Sequence, residues 1–414
     1  MRAMRCHLSV TAAPAWWLRW PGWESCSTLD DSLRKVIPKE EIPLLRLLIC
    51  AGGTGGGVYP ALAVLRALEK DVEAVLWVGS EGGMEADLVQ RAGVPFTAVP
   101  AAGVHGVGLR ALPGNLLRLS RGVIASRRIL HQFRPQVLLF TGGYVAVPMA
   151  LAAARRVPSL LFVPDIEPGL ALKTLARFAH TIALVASPSR AYFSKTKAHL
   201  QVTGYPTRPD LIGWNREQGR NHLGLSLDSK VLLVAGGSKG ALSINRAVWN
   251  TLPRLLQLAE VVHLTGQAHW EETRQVMAQL PEDLVSRYHP LPYLHEMGAA
   301  LTAADLVISR AGASTLGEYP LFGLPAILVP YPFAWRYQKV NADYLVNQGA
   351  AVMVKDQALP EQLLPRVAEL FKDDVRLQQM RDRMSALARP RAADEIAELV
   401  KQMVRHRSTT GDVP

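Results

Sequence analysis

Cysteine is scarce in this sequence, with three residues among 414. An odd and small number of cysteines excludes a framework of disulfide bonds and favours a reducing compartment. One of them, Cys50, lies within an apolar segment that is typical of a buried strand. Long hydrophobic runs are lacking as well, because no apolar stretch reaches the roughly 18 residues that a membrane-spanning helix needs.

Acidic residues are fewer than basic ones, 35 against 46, which gives a formal net charge of +11. Lysine and arginine are not interleaved with aromatic residues on any one element, so we expect no nucleic-acid partner. A charge of this sign instead suits phosphate-bearing small molecules or an anionic lipid surface. Only 20% of the residues are charged and 49% are hydrophobic, which favours well-filled cores over disorder.

The first 43 residues differ from the rest of the chain. They contain four of the nine tryptophans and a short apolar stretch after Arg2 and Arg5, with no clear small-residue cleavage site. We expect this segment to be an extension outside the fold; an interfacial anchor and a cleaved signal are the alternatives.

From residue 44 onward, short apolar segments alternate with segments that have the spacing of amphipathic helices. Such a pattern is typical of parallel sheets covered on both faces. Because the pattern restarts near residue 230, the sequence predicts an α/β fold of two Rossmann-like domains. The predicted strands are residues 44–51, 74–78, 137–141, 159–163, 230–235, 260–265, 306–309 and 326–330.

The predicted domain boundary lies in residues 202–209, which are rich in glycine and proline. We assign residues 44–204 to an N-terminal domain, residues 205–390 to a C-terminal domain, and residues 391–414 to a terminal helix and tail.

Each predicted domain opens with a strand, a glycine-rich turn and a helix. The turns are Gly-Gly-Thr-Gly-Gly at residues 52–56 and Gly-Gly-Ser-Lys-Gly at residues 236–240. Glycine lets backbone N–H groups approach an anion closely at the start of a helix. One such turn is equally compatible with a plain strand-to-helix connection. Two of them, at the carboxyl ends of facing sheets, favour a phosphate-bearing ligand in the cleft.

A third strand-to-helix turn, residues 309–318, carries polar side chains toward the same cleft. Ser314 and Thr315 stand at the predicted start of a helix, where hydroxyl and amide groups suit a phosphate. Glu318 follows one turn later, and a carboxylate there can accept both hydroxyls of a ribose. A first-turn glutamate is also common as a helix cap, so both readings stay open.

These motifs, together with Thr-Gly-Gly-Tyr-Val at 141–145, Pro-Gly-Leu at 168–170 and Val-Thr-Gly at 202–204, resemble the MurG family in order and spacing. Gln338 and Asn341-Ala342 complete the match, which extends from residue 44 to about residue 397. The family transfers GlcNAc from UDP-GlcNAc to a polyprenyl-diphosphate-linked muramyl-pentapeptide, converting lipid I to lipid II. The resemblance implies a GT-B fold, with the acceptor on the N-terminal domain and the UDP-sugar on the C-terminal domain.

The resemblance also implies roles for individual residues. It places the uracil against Arg208, the ribose at Glu318 and the sugar hydroxyls at Gln338 and Asn341. The remaining implied substrate-binding residues are Thr54, Gly55 and Gly56 at the diphosphate and acceptor, Ser238, Ser314 and Thr315 at the phosphates, and Leu294 and Ala313 at the edges of the uracil. No Asp-x-Asp pair is present to hold a cation, so we expect metal-independent transfer with no cofactor, UDP-GlcNAc being a substrate.

The sequence departs from the family pattern where the family places its favoured general base. The family histidine that follows Gly-Gly is Gly57 here, and the family asparagine before Pro-Gly is Asp165. An inverting transfer needs a base for the acceptor hydroxyl, worth about 10²–10⁴-fold in rate. We expect Asp165 to take this role, with His105 as the alternative. Lys239, where the family has glutamine, is expected to assist departure of the diphosphate.

Residues 109–134 combine arginines with apolar side chains and contain no acid. This pattern predicts a basic amphipathic helix, and the lipid-linked acceptor of the family implies peripheral contact with the cytoplasmic face of the cell membrane. A surface helix with solvated arginines is the alternative. The expected membrane contacts are Arg110, Leu116, Leu117, Arg118 and Arg121.

Three other functions remain compatible with the sequence. Tyr337 stands where the family usually has His or Gln, and Asp165 replaces the family asparagine. Both positions are expected near the sugar and the acceptor, so they allow a related transferase with another sugar or glycolipid acceptor. Loss of the histidine allows a non-catalytic protein that binds UDP-sugar. A UDP-sugar epimerase of similar fold is a further alternative, although its cluster of acids is not recognised here.

Overall fold

The N-terminal half of the chain forms a seven-stranded parallel sheet with strand order β3-β2-β1-β4-β5-β6-β7. Its central strands read as continuous apolar segments, such as Val-Leu-Leu-Phe in β4, and are buried on both faces as such strands require. The strands are β1 Leu45–Cys50, β2 Val72–Ser80, β3 Phe96–Val99, β4 Val137–Phe140, β5 Ser159–Val163, β6 Thr181–Leu184 and β7 His199–Val202.

The C-terminal half forms a second parallel sheet of six strands in the order β10-β9-β8-β11-β12-β13. Both sheets place their first strand near the centre and reverse order beside it, which is the doubly wound arrangement. The strands are β8 Val231–Ala235, β9 Glu260–Leu264, β10 Tyr288–Leu291, β11 Leu306–Ser309, β12 Ala326–Leu328 and β13 Ala351–Met353.

Helices connect successive strands and cover both faces of each sheet. In the N-terminal half they are α1 Gly55–Ala67, α2 Glu85–Arg91, α3 Leu112–Phe133, α4 Ala146–Ala153 and α5 Leu170–Leu175. In the C-terminal half they are α6 Arg216–Leu223, α7 Leu242–Leu258, α8 Trp270–Ala278, α9 Glu282–Val285, α10 Met297–Ala303, α11 Thr315–Phe322, α12 Trp335–Asn347, α13 Leu359–Lys372, α14 Asp374–Ser385 and α15 Ala392–Thr410. Short 3-10 helices cover Ser187–Phe193, Pro209–Leu211, Gln267–His269, Pro332–Ala334 and Asp356–Ala358.

The structure is a computed structural model that describes residues 44–52, 55–83, 85–101, 112–154, 156–237 and 240–410. The predicted extension before residue 44 therefore lies outside the described residues, as do His105, Arg110, Ser238 and Lys239. In the described part of the chain, no helix is long and apolar enough to cross a membrane.

The predicted two-sheet α/β architecture is confirmed, and all eight predicted strands are present with ends that differ by no more than two residues. Five strands were not predicted: β3, β6, β7, β10 and β13. All five lie at or next to a sheet edge, and they have only three or four residues each. Short strands of this kind carry little of the apolar periodicity on which sequence-based assignment depends.

The last helix returns to the first domain. α15 packs against α1. The Lys401 ammonium of α15 lies 3.5 Å from the carboxylate of Asp71, in the turn between α1 and β2. Val400 and Val404 of α15 are buried in the same apolar core as Val64 of α1 and Leu68 just after it. The terminal helix is thus part of the packing of the N-terminal half, although the chain reaches it from the C-terminal half. The exact boundary between the two domains stays a prediction.

Candidate active site

Two adjoining cavities, of about 620 Å³ and about 910 Å³, lie between the two domains. The first is lined mainly by the N-terminal domain, and the second mainly by the C-terminal domain. Six residues line both cavities and so form their junction: Tyr59, Arg208, Gly312, Ser314, Glu318 and Gln338. Four of these six, Arg208, Ser314, Glu318 and Gln338, are predicted site residues.

The first glycine-rich turn leads from β1 into α1 and forms the wall of the first cavity. Pro60 lies inside α1 and has no N–H, so it cannot donate to the carbonyl oxygen of Gly56 four residues earlier. The Tyr205 hydroxyl contacts this Gly56 oxygen at 3.5 Å, and the buried Thr141 hydroxyl donates to the Gly57 oxygen at 2.6 Å. Contacts from two distant segments therefore fix the start of α1 at the cavity.

Gly143 shows why the opposite wall needs glycine. Its φ is +84°, and a Cβ there would lie 2.9 Å from the Gly52 carbonyl oxygen. The backbone of residues 142–143 therefore approaches the first turn more closely than any side chain would allow.

Asp165 lies on the first cavity, two residues after β5 ends. Its Oδ1 accepts a hydrogen bond of 2.8 Å from the Asn341 side-chain amide of α12 in the other domain. Burial raises the pKa of Asp165, and the hydrogen bond from Asn341 opposes that rise. A carboxylate with a raised pKa on a cavity wall has the properties of a general base.

The second glycine-rich turn leads from β8 to α7 and contributes Gly236, Gly237 and Gly240 to the second cavity. Gly240 has a φ of +75°, and a Cβ there would lie 2.2 Å from the Thr265 carbonyl oxygen. Glycine is thus required where this turn packs on the loop after β9.

The third turn leads from β11 into α11, which begins after Ser314 and ends at the left-handed Gly323. The Thr315 hydroxyl donates to the Gly312 carbonyl oxygen at 2.7 Å, which holds the turn in shape. Ser314, Thr315 and Glu318 all line the second cavity, as the sequence predicted for one shared site.

Glu318 lies deep in the cleft at the junction of the two cavities. Burial raises its pKa to about 7, while the Arg208 guanidinium and a hydrogen bond from Ser314 act in the opposite direction. The side chain therefore changes charge near neutral pH. A ligand that donates hydroxyl groups to it favours the ionised form.

Arg208, in the segment between β7 and β8, lies at the same junction. Its guanidinium carbon lies 4.7 Å from the centroid of the Tyr59 ring of α1, and the guanidinium is 3.5 Å from the Asp210 carboxylate. Tyr59 is also hydrogen-bonded to Tyr293, which follows β10. Tyr59 was not predicted as a site residue, although an aromatic residue three positions after a glycine-rich turn is a usable signal.

A polar cluster that lines the second cavity was also missed. Arg310 donates to the Asp356 carboxylate and, at 2.8 Å, to the Ser243 hydroxyl at the start of α7. Ser243 in turn donates to Asp356 at 2.7 Å. The cluster ties the third turn to α7, so two phosphate-suited turns are held in one fixed arrangement.

The remaining predicted site residues divide into three groups. The first group lines the cavities: Gly56 and Ala313 line the first, Leu294 lines the second, and Gln338 lines both. The Oε1 of Gln338 accepts a hydrogen bond of 2.8 Å from the Tyr331 N–H. Asn341 is fully buried behind the wall and contacts protein groups. Thr54, Ser238 and Lys239 lie outside the described residues, and of Gly55 only the backbone at the start of α1 is described.

The predicted basic amphipathic helix is α3. Leu116, Leu117 and Ile124 are 60%, 53% and 51% exposed. Arg118 and Arg121 are exposed beside them, whereas the opposite side of the helix packs on α4. The helix therefore presents leucine and arginine together to solvent, which is the arrangement of an interfacial helix.

Among the residues that the structure describes, no group of three or more His, Cys, Asp and Glu side chains is placed to hold a metal ion. Metal independence itself stays a prediction.

Known proteins resemble the chain in both sequence and structure. Family models match it twice, the glycosyltransferase family 28 N-terminal domain at residues 47–184 and the C-terminal domain of the same family at residues 231–396. The UDP-N-acetylglucosamine--N-acetylmuramyl-(pentapeptide) pyrophosphoryl-undecaprenol N-acetylglucosamine transferase of Roseiflexus sp. (strain RS-1) is 40% identical, over 90% of this chain and 99% of the relative. The protein of the same name from Desulforudis audaxviator (strain MP104C) is 41% identical over 87% and 98%.

The chain belongs to the MurG family. The crystal structure of Acinetobacter baumannii MurG matches with a TM-score of 0.68 at 27% identity, over 86% of this chain and 99% of that one. MurG membership confirms the predicted GT-B fold and shows that the protein is a glycosyltransferase. A putative UDP-N-acetylglucosamine 2-epimerase from Listeria monocytogenes, with a TM-score of 0.61 and 13% identity, shares the fold alone.

Proposed function

We propose that this MurG-family protein transfers GlcNAc from UDP-GlcNAc to the muramyl-pentapeptide of a pyrophosphoryl-undecaprenol acceptor, converting lipid I to lipid II. The names of its relatives, at up to 41% identity over most of the chain, support this substrate pair. The junction of the two cavities carries the proposal, because one site must hold a nucleotide sugar beside an acceptor.

The donor occupies the second cavity in this proposal. The diphosphate lies against the turns that contain Ser238, Ser314 and Thr315, where helix starts offer amide and hydroxyl donors. The Arg208 guanidinium lies against the uracil, and the Glu318 carboxylate accepts the ribose hydroxyls. Leu294 and Ala313 flank the base, and Gln338 binds the sugar at the junction.

The acceptor enters the first cavity beside the turn that contains Thr54, Gly55 and Gly56. The acceptor oxygen attacks the anomeric carbon of GlcNAc while the bond from that carbon to the diphosphate oxygen breaks. The Asp165 carboxylate takes the proton of the attacking hydroxyl, and UDP leaves with its negative charge compensated by Lys239. Attack opposite to the leaving group inverts the anomeric configuration.

The α3 surface supports peripheral attachment at the cytoplasmic face of the membrane. Exposed Leu116 and Leu117 enter the headgroup region, while Arg110, Arg118 and Arg121 meet anionic lipid. Attachment brings the first cavity to a lipid-linked acceptor that cannot leave the bilayer.

The test is release of UDP by purified protein supplied with UDP-GlcNAc and a short-chain lipid I analogue. We expect release only when both substrates are present, and a much slower rate with UDP-glucose. A preference for UDP-glucose would instead support the related-transferase alternative, which Tyr337 on the first cavity favours. No release with either donor would show a non-catalytic protein.

A further inference from the structure

We propose that Asn341 is a positioning residue through which the donor domain orients the Asp165 carboxylate toward the acceptor. This inference rests on the proposed role of Asp165 as the base. It gives Asn341 a function that requires no contact with the sugar.

The Asn341 side chain bridges the two domains with all its polar atoms engaged. On α12 of the C-terminal domain, it is fully buried. Its Oδ1 accepts from the Ile166 N–H at 3.0 Å, and its Nδ2 donates to Asp165 Oδ1 at 2.8 Å and to the Ala311 carbonyl oxygen at 3.2 Å. Two of these partners belong to the segment after β5, and the third belongs to the turn after β11.

This geometry constrains one carboxylate oxygen and leaves the other for chemistry. Asp165 Oδ1 is held by Asn341, whereas within the described ranges no donor is paired with Oδ2. Asp165 lines the first cavity and Asn341 does not. The Ile166 hydrogen bond fixes the amide in one orientation, so that Nδ2 and not Oδ1 faces the carboxylate.

The link also makes the base depend on the donor domain. Asp165 belongs to the N-terminal domain, while Asn341 and Ala311 belong to the domain that carries the donor residues. Separation of the domains removes the only hydrogen-bond donor of Asp165 within the described part of the chain. The carboxylate is therefore oriented when the two domains are closed together, and the Asn341 hydrogen bond then opposes the rise in its pKa that burial causes. A misplacement of about 1 Å in such a group costs about 10²-fold in rate.

Other titratable groups that line the first cavity bear on any pH effect. They are Tyr59 of α1, Tyr205 of the interdomain segment, Arg208, Glu318 of α11 and Tyr337 of α12. Tyr205 interacts with the Asp165 charge, and burial holds its pKa well above the ordinary value, so it stays neutral. Glu318 changes charge near pH 7. Its contribution must therefore be separated from that of Asp165.

The main test variant is Asn341→Asp. It keeps the side-chain size and the acceptor for Ile166, but it replaces the donor to Asp165 by a second carboxyl group. Two adjacent carboxyl groups share a proton, which raises the apparent pKa of the second ionisation of the pair. We expect kcat to fall about 100-fold at neutral pH and the acid limb of the kcat profile to move up by about one pH unit. The KM for UDP-GlcNAc should stay within about threefold, since donor contacts remain.

Two further variants separate positioning from a structural role. Asn341→Ser retains a short hydroxyl donor and should lie between the parent and Asn341→Asp in both kcat and acid limb. Asn347→Asp changes the same residue type at an exposed position of α12 and should leave both quantities unchanged. A uniform loss of activity with an unmoved acid limb would overturn the proposal, because loss of folded protein lowers kcat at every pH alike.

Glu318→Gln, introduced into the parent and into each Asn341 variant, removes the contribution of the Glu318 carboxyl group to the pH profile of kcat.

A titration without substrates distinguishes this inference from the proposed function. Carboxyl-labelled aspartate resonances are compared by NMR between the parent, Asn341→Asp and Asn341→Ser, with Asp165→Asn to assign the signal. We expect the Asp165 pKa to rise in both Asn341 variants, even if no sugar is transferred. An unchanged pKa would refute the positioning role, whereas a shifted pKa in a protein that releases no UDP would refute the proposed function alone.

Discussion

The Tyr59 ring of α1 lies against the guanidinium of Arg208, which belongs to the segment between β7 and β8, with 4.7 Å between the guanidinium carbon and the ring centroid. This contact joins the helix after the first glycine-rich turn to the proposed uracil site. A guanidinium held by a ring on one side presents a preorganised planar surface to a base.

Tyr59→Ala should therefore weaken donor binding. The stacking contact is worth about 0.5–2 kcal/mol. We thus expect the KM for UDP-GlcNAc to rise about 2- to 30-fold, with kcat changed less. Tyr59→Phe keeps the ring over Arg208 and loses only the hydroxyl contact to Tyr293, so it serves as the control. Steady-state kinetics with saturating acceptor measures both variants. A fall in kcat with an unchanged KM would contradict a role in donor binding.

Asp165→Asn should abolish most of the turnover. The amide keeps the size of the carboxylate but cannot take a proton from the acceptor hydroxyl, so kcat should fall about 10²–10⁴-fold. Affinity for UDP-GlcNAc, measured by calorimetry, should stay within about threefold, because the donor lies in the second cavity. Asp283→Asn, at an exposed position of α9, is the matched control. Unchanged turnover of Asp165→Asn would exclude it as the base.

Glu318 should make donor affinity depend on pH. Its pKa is about 7 in the free protein, and ribose hydroxyls bind best to the ionised carboxylate. The affinity for UDP-GlcNAc, measured by calorimetry, should therefore increase as pH rises from about 6 to about 8. In Glu318→Gln the affinity should be lower at pH 8 and nearly independent of pH in this range. A pH dependence that persists in the glutamine variant would assign it to another group.

The same raised pKa has the opposite effect on stability without ligand. Folding favours the neutral carboxyl, so its contribution to stability is complete below the unfolded pKa and is lost as pH rises through about 7. Thermal unfolding should show that Glu318→Gln stabilises the free protein more at pH 8 than at pH 5.

The α3 surface should bind anionic vesicles. Replacing Leu116 and Leu117 by serine removes apolar burial, and replacing Arg118 and Arg121 by glutamine removes about 1 kcal/mol per charge near the membrane. Cosedimentation with vesicles should fall in both double variants. Added salt should weaken vesicle binding as it does in the parent only in the leucine-to-serine variant, because that variant keeps both arginines. Lys195→Gln with Lys197→Gln removes two exposed cations elsewhere on the same domain and is the control. Binding that is indifferent to lipid charge would favour a solvated surface helix.

Local patterns were sufficient to predict the central strands and the three turns, because buried parallel strands and glycine-rich helix starts have strong sequence signals. Ser314 and Glu318 were predicted for this reason, whereas Arg208 was predicted only from the resemblance to the family. Contacts between domains had no such signal. The sequence does not show that Tyr205 reaches the Gly56 oxygen or that Asn341 contacts Asp165, since each pair is far apart in the chain and meets only after both domains fold.

Gly57 offers a test of how much the missing family histidine matters. A Cβ at this position would meet its nearest neighbour, the Thr141 carbonyl oxygen, at 3.4 Å, which is ordinary contact, and Gly57 lines the same cavity as Asp165. Gly57→His should therefore fold normally. At the first turn of α1 the helix dipole lowers the pKa of an imidazole, which keeps it neutral and able to accept a proton.

In the Asp165→Asn background, Gly57→His should therefore restore part of the lost turnover, by about 10-fold or more. The restored rate should depend on the imidazole pKa, and Gly57→Gln, of similar size without a titrating group, should restore nothing. Turnover of the three variants over a range of pH decides the point. Equal rescue by glutamine would indicate a steric or hydrogen-bonding effect, and no rescue by histidine would show that position 57 does not reach the acceptor hydroxyl in this chain.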